Sequence, residues 1–207
     1  MFNFYEFVYG INWILSRVDS KKDDSINHLK EAVKACKKCR LAFNRINVVF
    51  GEGNLHARLM FIGEGPGAEE DAQGRPFVGR AGQLLDKMIL AMGLKRENVY
   101  IANIVKCRPP DNRAPFRDEA EMCKPYLLEQ VNFIKPELII CLGSIATNYL
   151  LNAGVSITKV RGSVKEFNNI RVIPTYHPAY LLRNPGKKAE AWDDLKKAMA
   201  LLNLMKN

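Results

Sequence analysis

The stretch Leu59-Met60-Phe61-Ile62-Gly63-Glu64-Gly65-Pro66-Gly67 joins a short apolar run directly to a glycine-rich loop. Four consecutive apolar residues predict a β-strand that is buried on both faces, as strands of parallel sheets are. Comparable runs follow at 99–105, 138–142 and 171–174. We therefore expect these four segments to form a central, mainly parallel sheet.

Helical segments alternate with these strands. An apolar helical face covers 84–92, and Gly93 ends it. Further helices are expected at 143–151, at 192–204 and from about residue 117, where Pro125 is expected to kink or split the helix. This alternation predicts an α/β fold with three layers, α/β/α, around a four-stranded sheet. Ligands of such sheets bind at the carboxyl ends of the strands, so the candidate loops follow residues 62, 105, 142 and 175.

Composition narrows the class of partner. The chain has 207 residues, with 31 Lys or Arg against 22 Asp or Glu, and a formal charge of +9. This surplus fits a polyanionic partner, nucleic acid first, or simply a basic soluble surface. No long apolar run predicts a membrane span, and no secretory signal is recognisable at the N-terminus. We expect a cytoplasmic monomer with a helical N-terminal extension at 1–29 and one domain at 30–207.

Four cysteines fall into two pairs. Cys36 and Cys39 form C-x2-C, and Cys107 and Cys123 form C-x15-C. Two pairs in a chain expected in a reducing compartment indicate a four-thiolate metal site, although spacing alone does not separate zinc from iron–sulfur. The alternative is four unrelated thiols. Basic neighbours of both pairs are expected to lower the thiol pKa values, whereas Cys141 lies in an apolar run and is expected to be a core thiol.

The glycine-rich loop admits two interpretations. Gly63, Gly65 and Ala68 fit the dinucleotide-binding pattern G-x-G-x-x-A. However, the acidic residues at 69–71 would occupy the place of a pyrophosphate, and no acidic residue ends a second strand about twenty positions later. We therefore favour a loop whose backbone N–H groups bind a small planar ligand, because glycines allow a ligand to approach the main chain closely.

Two later loops carry side chains suited to nucleic acid. Phe77, between two arginines, is either a core residue or a platform on which a base stacks. His177 directly follows the last predicted strand, where ligands of open sheets bind. Leu181 and Leu182 beside Arg183 suit a wedge that enters the DNA stack with a phosphate contact next to it. The alternative for the two leucines is a short helix that buries both.

Together these features resemble the family 4 uracil-DNA glycosylases, the iron–sulfur branch of that superfamily. The motifs occur in the family's order, all four cysteines accompany them, and the likeness extends from about residue 30 to the end. The matching stretches are 63–67, 74–85, 103–110 and 177–185.

The resemblance implies the fold, activity and cofactor of that family. The implied activity is a DNA-repair glycosylase that flips uracil out of DNA and hydrolyses its N-glycosidic bond, leaving an abasic site. A structural [4Fe-4S] cluster is implied on Cys36, Cys39, Cys107 and Cys123. The implied uracil pocket consists of Gly63, Glu64, Gly65, Phe77, Asn103 and His177.

Chemistry gives these residues distinct roles. The Asn103 carbonyl is suited to accept uracil N3–H while its amide donates to O4, a pattern that cytosine reverses. His177 Nε2–H and loop N–H groups are candidate donors to uracil O2, where the leaving anion needs stabilisation. Gly65 stands where family 1 enzymes carry an aspartate that activates water. Either Glu64 or Glu70 positions the water, or the reaction needs little help from a base; Glu70 is alternatively a screen against the methyl group of thymine.

Arginine and lysine side chains near these loops are candidates for phosphate contact, namely Arg80, Lys106, Arg161 and Arg183. The leading hypothesis is a monofunctional uracil-DNA glycosylase acting on single- or double-stranded DNA. The alternative is a catalytically silent nucleic-acid-binding module with a structural metal.

Overall fold

The computed structural model describes residues 24–151 and 154–204, so positions 1–23 of the predicted helical extension at 1–29 lie outside the described residues. The helices are 24–34 (α1), Ala68–Gln73 (α2), Arg80–Ala91 (α3), Arg117–Ile134 (α4), Gly143–Leu151 (α5), Ile157–Val160 (α6), Pro178–Arg183 (α7) and Lys188–Leu201 (α8). The strands are Glu52–Gly53 (β1), Leu59–Gly63 (β2), Tyr100–Asn103 (β3), Leu138–Leu142 (β4), Lys165–Phe167 (β5) and Ile170–Thr175 (β6). Short 3₁₀ turns occur at Arg40–Phe43, Arg96–Asn98, Pro110–Asn112 and Pro185–Lys187.

The strands form one sheet in the order β1-β3-β2-β4-β6-β5. The four central strands are parallel, which confirms the predicted sheet, and β1 and β5 extend it with antiparallel pairing at the two edges. These edge strands span only two and three residues and carry glycine or charged residues, so they lack the apolar pattern by which a strand is recognised.

Alternate residues of the central strands face two separate cores, which gives the three predicted layers. Leu59 and Phe61 pack with apolar residues of α3, α7 and α8. Met60 and Ile62 face the opposite side, toward α1, α4 and α5. Because every residue of β2 and β4 is buried, these strands read as continuous apolar runs rather than alternating ones.

Helix α4 continues through Pro125, so of the two predicted effects, a kink or a split, the split does not occur. A proline deprives the carbonyl four residues earlier, that of Glu121, of its helical hydrogen bond. Both residues are exposed, so water can satisfy that carbonyl and the helix continues.

The N-terminal part of the described chain packs on the body. Ile26 and Val33 of α1 are buried in the same core as Leu41, and the predicted boundary between residues 29 and 30 falls inside this helix. Across the described ranges, none of the helices has the length and apolarity that a bilayer crossing requires.

The parallel strands bring four loops to one edge of the sheet. Gly63, the last residue of β2, is aligned with Asn103 at the end of β3. Leu142 at the end of β4 is aligned with Thr175 at the end of β6. The side chains that follow these strands therefore meet on one side of the molecule.

Candidate active site

A cavity of about 590 Å³ opens at the carboxyl ends of the central strands. It is lined from the loops that follow β2, β3, β4 and β6, the four loops selected from the sequence. The predicted residues that line it are Glu64, Gly65, Glu70, Phe77, Asn103, His177 and Arg183.

Asn103 presents an unpaired oxygen to this cavity. Its side chain is only 1% exposed, and it lies at the end of β3. Among the described residues, its Oδ1 is the one buried side-chain nitrogen or oxygen without a hydrogen-bond partner. Leaving such an atom unpaired costs about 1–3 kcal/mol, so the structure favours a ligand that donates a hydrogen bond here.

Gly63 is a site residue because its missing side chain makes room. It does not line the cavity itself but lies behind two residues that do. A Cβ on Gly63 would lie 2.4 Å from Asn103 Oδ1 and 2.5 Å from Cζ of Phe77. Both contacts are shorter than side chains tolerate, so glycine at this position permits the Asn103 and Phe77 side chains to lie side by side.

Phe77 forms an aromatic wall of the cavity. Its side chain is buried, and its ring centroid lies 5.7 Å from that of His177 at an interplanar angle of 34°. The Phe77 backbone has φ +50°, in the left-handed region that non-glycine residues rarely adopt. This conformation sets the direction in which the Phe77 side chain leaves the backbone.

His177 is held as a neutral hydrogen-bond donor. It is the N-cap of α7, and its Nδ1 accepts the backbone N–H of Ala179 at 3.1 Å. Burial, assisted by the positive charge of Arg183, lowers the pKa of His177 to about 4. At neutral pH the ring therefore carries one proton, which lies on Nε2 because Nδ1 is an acceptor. Gly143, with φ +90°, leaves room for the base of the His177 side chain, since a Cβ there would lie 3.0 Å from His177 Cβ.

The two candidate carboxylates differ in their surroundings. Glu70 accepts the backbone N–H groups of Gly67, Val78 and Gly79 at 2.9–3.1 Å, so both of its oxygens hold the loops on either side of α2. Glu64 lines the cavity, and burial raises its pKa above the usual value. The Glu70 carboxylate lies at the start of α2, where the phosphate of a dinucleotide would have to bind. Its position therefore agrees with the rejection of dinucleotide binding.

Two residues predicted to touch DNA are not available for it. Lys106 is fully buried, and its Nζ donates to the Asn103 backbone carbonyl at 2.9 Å and to Gln130 Oε1 at 2.5 Å. Leu181 is 1% exposed and packs in the core beside α3 and α8, so it is not a wedge. Both predictions are wrong because proximity to a loop in sequence does not determine which way a side chain points.

The other predicted DNA contacts differ in accessibility. Arg80 and Arg183 are exposed, and Arg183 reaches the cavity, whereas Leu182 is half-buried. Arg161 is engaged within the protein, because its Nε and Nη2 donate to the buried Asp194 at 3.1 and 2.7 Å. This ion pair joins the segment before β5 to α8.

The four paired cysteines surround a second, smaller cavity between α1, the loop after β3 and α4. Polar hydrogens point at three of their sulfurs: Arg45 Nη1 donates to Cys107 Sγ at 3.0 Å, and backbone N–H groups donate to Cys123 and Cys36. Nowhere in 24–151 or 154–204 do three or more Cys, His, Asp or Glu side chains converge as on one metal ion. The four cysteine side chains therefore share one small cavity.

The expectation of lowered thiol pKa values is wrong for the two buried members of this set. Burial outweighs the nearby positive charge and raises the pKa of Cys107, and that of Cys123 to about 11. Both thiols therefore carry their protons at neutral pH, and a metal that bound here would have to displace them. Cys141 lies apart from them in the core, as predicted.

Some residues that line the cavity are not predictable as site residues from the sequence. Arg113 and Tyr180 both border the cavity. Gly143 was signalled only by its place directly after the strand 138–142. Arg113 gave no local signal, because its position depends on a bidentate ion pair with Glu119 and on its guanidinium lying 3.8 Å from the centre of the Phe116 ring.

Fold and site together define an α/β protein with a ligand-sized cavity, walled by an aromatic ring, at the carboxyl ends of its parallel strands. The family model described as the uracil DNA glycosylase superfamily matches residues 50–196. A type-4 uracil-DNA glycosylase of Thermotoga maritima is 46% identical over 87% of this chain and 96% of its own length. Type-4 enzymes of Sulfurisphaera tokodaii and Saccharolobus solfataricus are 48% and 46% identical, over 86% and 87% of this chain and 85% and 88% of their own lengths. The chain belongs to the uracil DNA glycosylase superfamily, and within it to the type-4 uracil-DNA glycosylases.

Proposed function

We propose that this protein removes uracil from DNA by hydrolysing the N-glycosidic bond, leaving an abasic site for base excision repair. The observation that carries the proposal is the unpaired Oδ1 of Asn103 in a cavity that also contains a neutral His177. The first group reads the base and the second stabilises it as it leaves.

Recognition follows from the donor and acceptor pattern of the base. With Oδ1 accepting uracil N3–H, the Asn103 amide group faces O4, which accepts a hydrogen bond. Cytosine has an acceptor at N3 and a donor at position 4, so it would oppose Asn103 at both atoms. Extruding a nucleotide costs a few kcal/mol, and stacking on Phe77 recovers about 1–3 kcal/mol of this.

Departure of the base is assisted by a hydrogen bond that strengthens with charge. As the bond to the sugar breaks, negative charge accumulates on the uracil ring. We propose that His177 Nε2–H donates to O2, which a neutral imidazole can do without giving up its proton. Loss of one such donor typically costs about 2.7–4 kcal/mol of barrier, or 10²–10³ in rate.

Water is positioned by Glu64 in this proposal. Its half-buried carboxyl lines the cavity, whereas both oxygens of Glu70 are occupied by backbone N–H groups. Gly65 leaves no space for a longer side chain, since even a Cβ would lie 2.7 Å from Val105 Cγ2. We therefore assign the water to the carboxyl group of the neighbouring Glu64.

We also propose that Cys36, Cys39, Cys107 and Cys123 hold a [4Fe-4S] cluster with a structural role. The support is the cavity that the four cysteines share and the N–H donors aimed at their sulfurs. Four thiolates on one cluster would join the segment after α1 to the loop after β3 and to α4. Iron and sulfide analysis of anaerobically purified protein is expected to give four of each with broad visible absorbance; a colourless protein with one zinc would contradict it.

The activity is tested with a labelled oligonucleotide containing one uracil, in single and double strands, followed by hot alkali. We expect cleavage at the uracil position, and a 10²–10³-fold slower rate for His177→Ala. His28→Ala is the matched control, because His28 is exposed on α1. DNA binding with no alkali-sensitive product would refute the proposal and favour a silent binding module.

A further inference from the structure

Phe77 is held in a backbone conformation that the residue would not adopt alone. Its φ of +50° lies in the left-handed region, although it has a large side chain. Such a conformation costs about 1–3 kcal/mol and persists only where the surrounding structure imposes it. The contacts that impose it therefore determine where the aromatic ring lies.

Arg96 donates hydrogen bonds to the backbone at this position from outside the cavity. It lies in the 3₁₀ turn that precedes β3, and it does not line the cavity. Its Nη2 donates to the carbonyl of Pro76 at 2.5 Å, and its Nη1 donates to the carbonyl of Phe77 at 3.2 Å. One planar guanidinium thus binds two consecutive carbonyls, which fixes the orientation of the peptide between them.

The guanidinium is itself fixed by two carboxylates. Its Nε donates to Glu52 Oε1 on β1 at 2.8 Å, and Nη1 donates to Asp86 Oδ1 on α3 at 2.6 Å. The Arg96 side chain is 21% exposed, so these contacts are partly shielded from water. The strained loop is consequently anchored both to the sheet edge and to a helix.

A helix supports the same peptide from another direction. A Cβ on Gly82 of α3 would lie 1.9 Å from the Phe77 carbonyl oxygen, so this helix contacts the loop backbone directly. With Gly82 behind it and Arg96 bonded to it, the Phe77 peptide has little freedom to rotate. Neither contact touches the ring face that the cavity exposes.

We propose that Arg96 is a positioning residue for base recognition that acts through Phe77. Its hydrogen bonds to two consecutive carbonyls keep the Phe77 ring where an extruded base stacks. This inference rests on the proposed function, because it requires that Phe77 stacks on the base. A lysine is not an equivalent replacement, since one ammonium lacks the planar fork. Since Arg96 does not contact DNA phosphates in this account, its loss should slow excision without weakening DNA binding.

The test compares Arg96→Gln and Arg96→Lys with Arg75→Gln. Arg75 is the matched control because it also pairs with Glu52, at 2.8 Å, but is not bonded to the Pro76 or Phe77 carbonyls. We expect single-turnover excision at saturating enzyme to fall at least about tenfold in both Arg96 variants, given that a misplacement of 1 Å can cost about 10²-fold. Binding of uracil-free DNA, and the Arg75→Gln rate, should change less than about twofold. Normal excision by both Arg96 variants would overturn the proposal.

A double-mutant cycle with Phe77→Ala separates positioning from general loss of stability. If Arg96 acts through the ring, Arg96→Gln should slow Phe77→Ala by less than about twofold, since interacting residues are not additive. Equal losses in both backgrounds would overturn the proposal, and so would an unimpaired Phe77→Ala. Either of these two outcomes would be compatible with uracil excision by the wild-type protein. An inactive wild-type protein would instead refute the proposed function. Arg96→Lys retains the charge beside Glu52 and Asp86, so it provides the kinetic test if Arg96→Gln folds poorly.

Discussion

Substituting Gly63 with alanine tests the geometry of the pocket with a single methyl group. The added Cβ would lie 2.4 Å from Asn103 Oδ1 and 2.5 and 2.7 Å from two carbons of the Phe77 ring. Ordinary contacts need about 3.4 Å, so Asn103 and Phe77 must each retreat by about 1 Å. A displacement of this size at a reacting site costs about 10²-fold in rate. We therefore expect Gly63→Ala to lose about two orders of magnitude in excision.

The assay is single-turnover excision from a uracil-containing oligonucleotide at saturating enzyme, so that binding does not limit the rate. Gly186→Ala is the control, because a Cβ there meets nothing within 4 Å. The thermal unfolding midpoint of each variant shows whether the fold is retained. Gly63→Ala with a rate within about threefold of wild type would refute the claim that Asn103 and Phe77 are placed side by side for the base.

Two further predictions concern charge. Folding lowers the pKa of His177 from 6.5 to about 4, so the unfolded chain binds an additional proton between these values. The free energy of unfolding should therefore decrease as pH falls from 6.5 toward 4, by at most about 3 kcal/mol. In the His177→Gln variant the decrease should be smaller. Equal decreases in the two proteins, measured by thermal unfolding across this pH range, would contradict the prediction. Arg183 is exposed at the edge of the cavity. Arg183→Gln should therefore weaken DNA binding and reduce the slope of log K against log[salt] by about one. An unchanged slope in binding titrations would show that Arg183 does not hold a phosphate.

The sequence was sufficient to locate the pocket because strand ends are recognisable. Asn103 and His177 each follow or end an apolar run, and parallel strands bring their carboxyl ends to one edge. The four-stranded core was predictable for the same reason. The edge strands were not, since two or three residues with glycine or charge leave no periodic signal.

Side-chain direction and long-range contacts were beyond the sequence. Lys106 reads as a basic loop residue, yet Gln130, 24 positions later, supplies the partner that allows its burial. Leu181 reads equally well as a wedge or a core residue, and only the packing of α7 decides. Arg96 carries no motif, because its role depends on carboxylates 10 and 44 positions away.

The central claim is that Asn103 Oδ1 accepts the N3–H of an extruded uracil. The most direct measurement is the single-turnover rate on an oligonucleotide with uracil compared with one carrying N3-methyluracil, which lacks that hydrogen. Wild type should discriminate by at least about tenfold, since each such unpaired group costs about 1–3 kcal/mol, and Asn103→Ala should lose most of that preference. Equal excision of both bases by the wild-type protein would contradict the account.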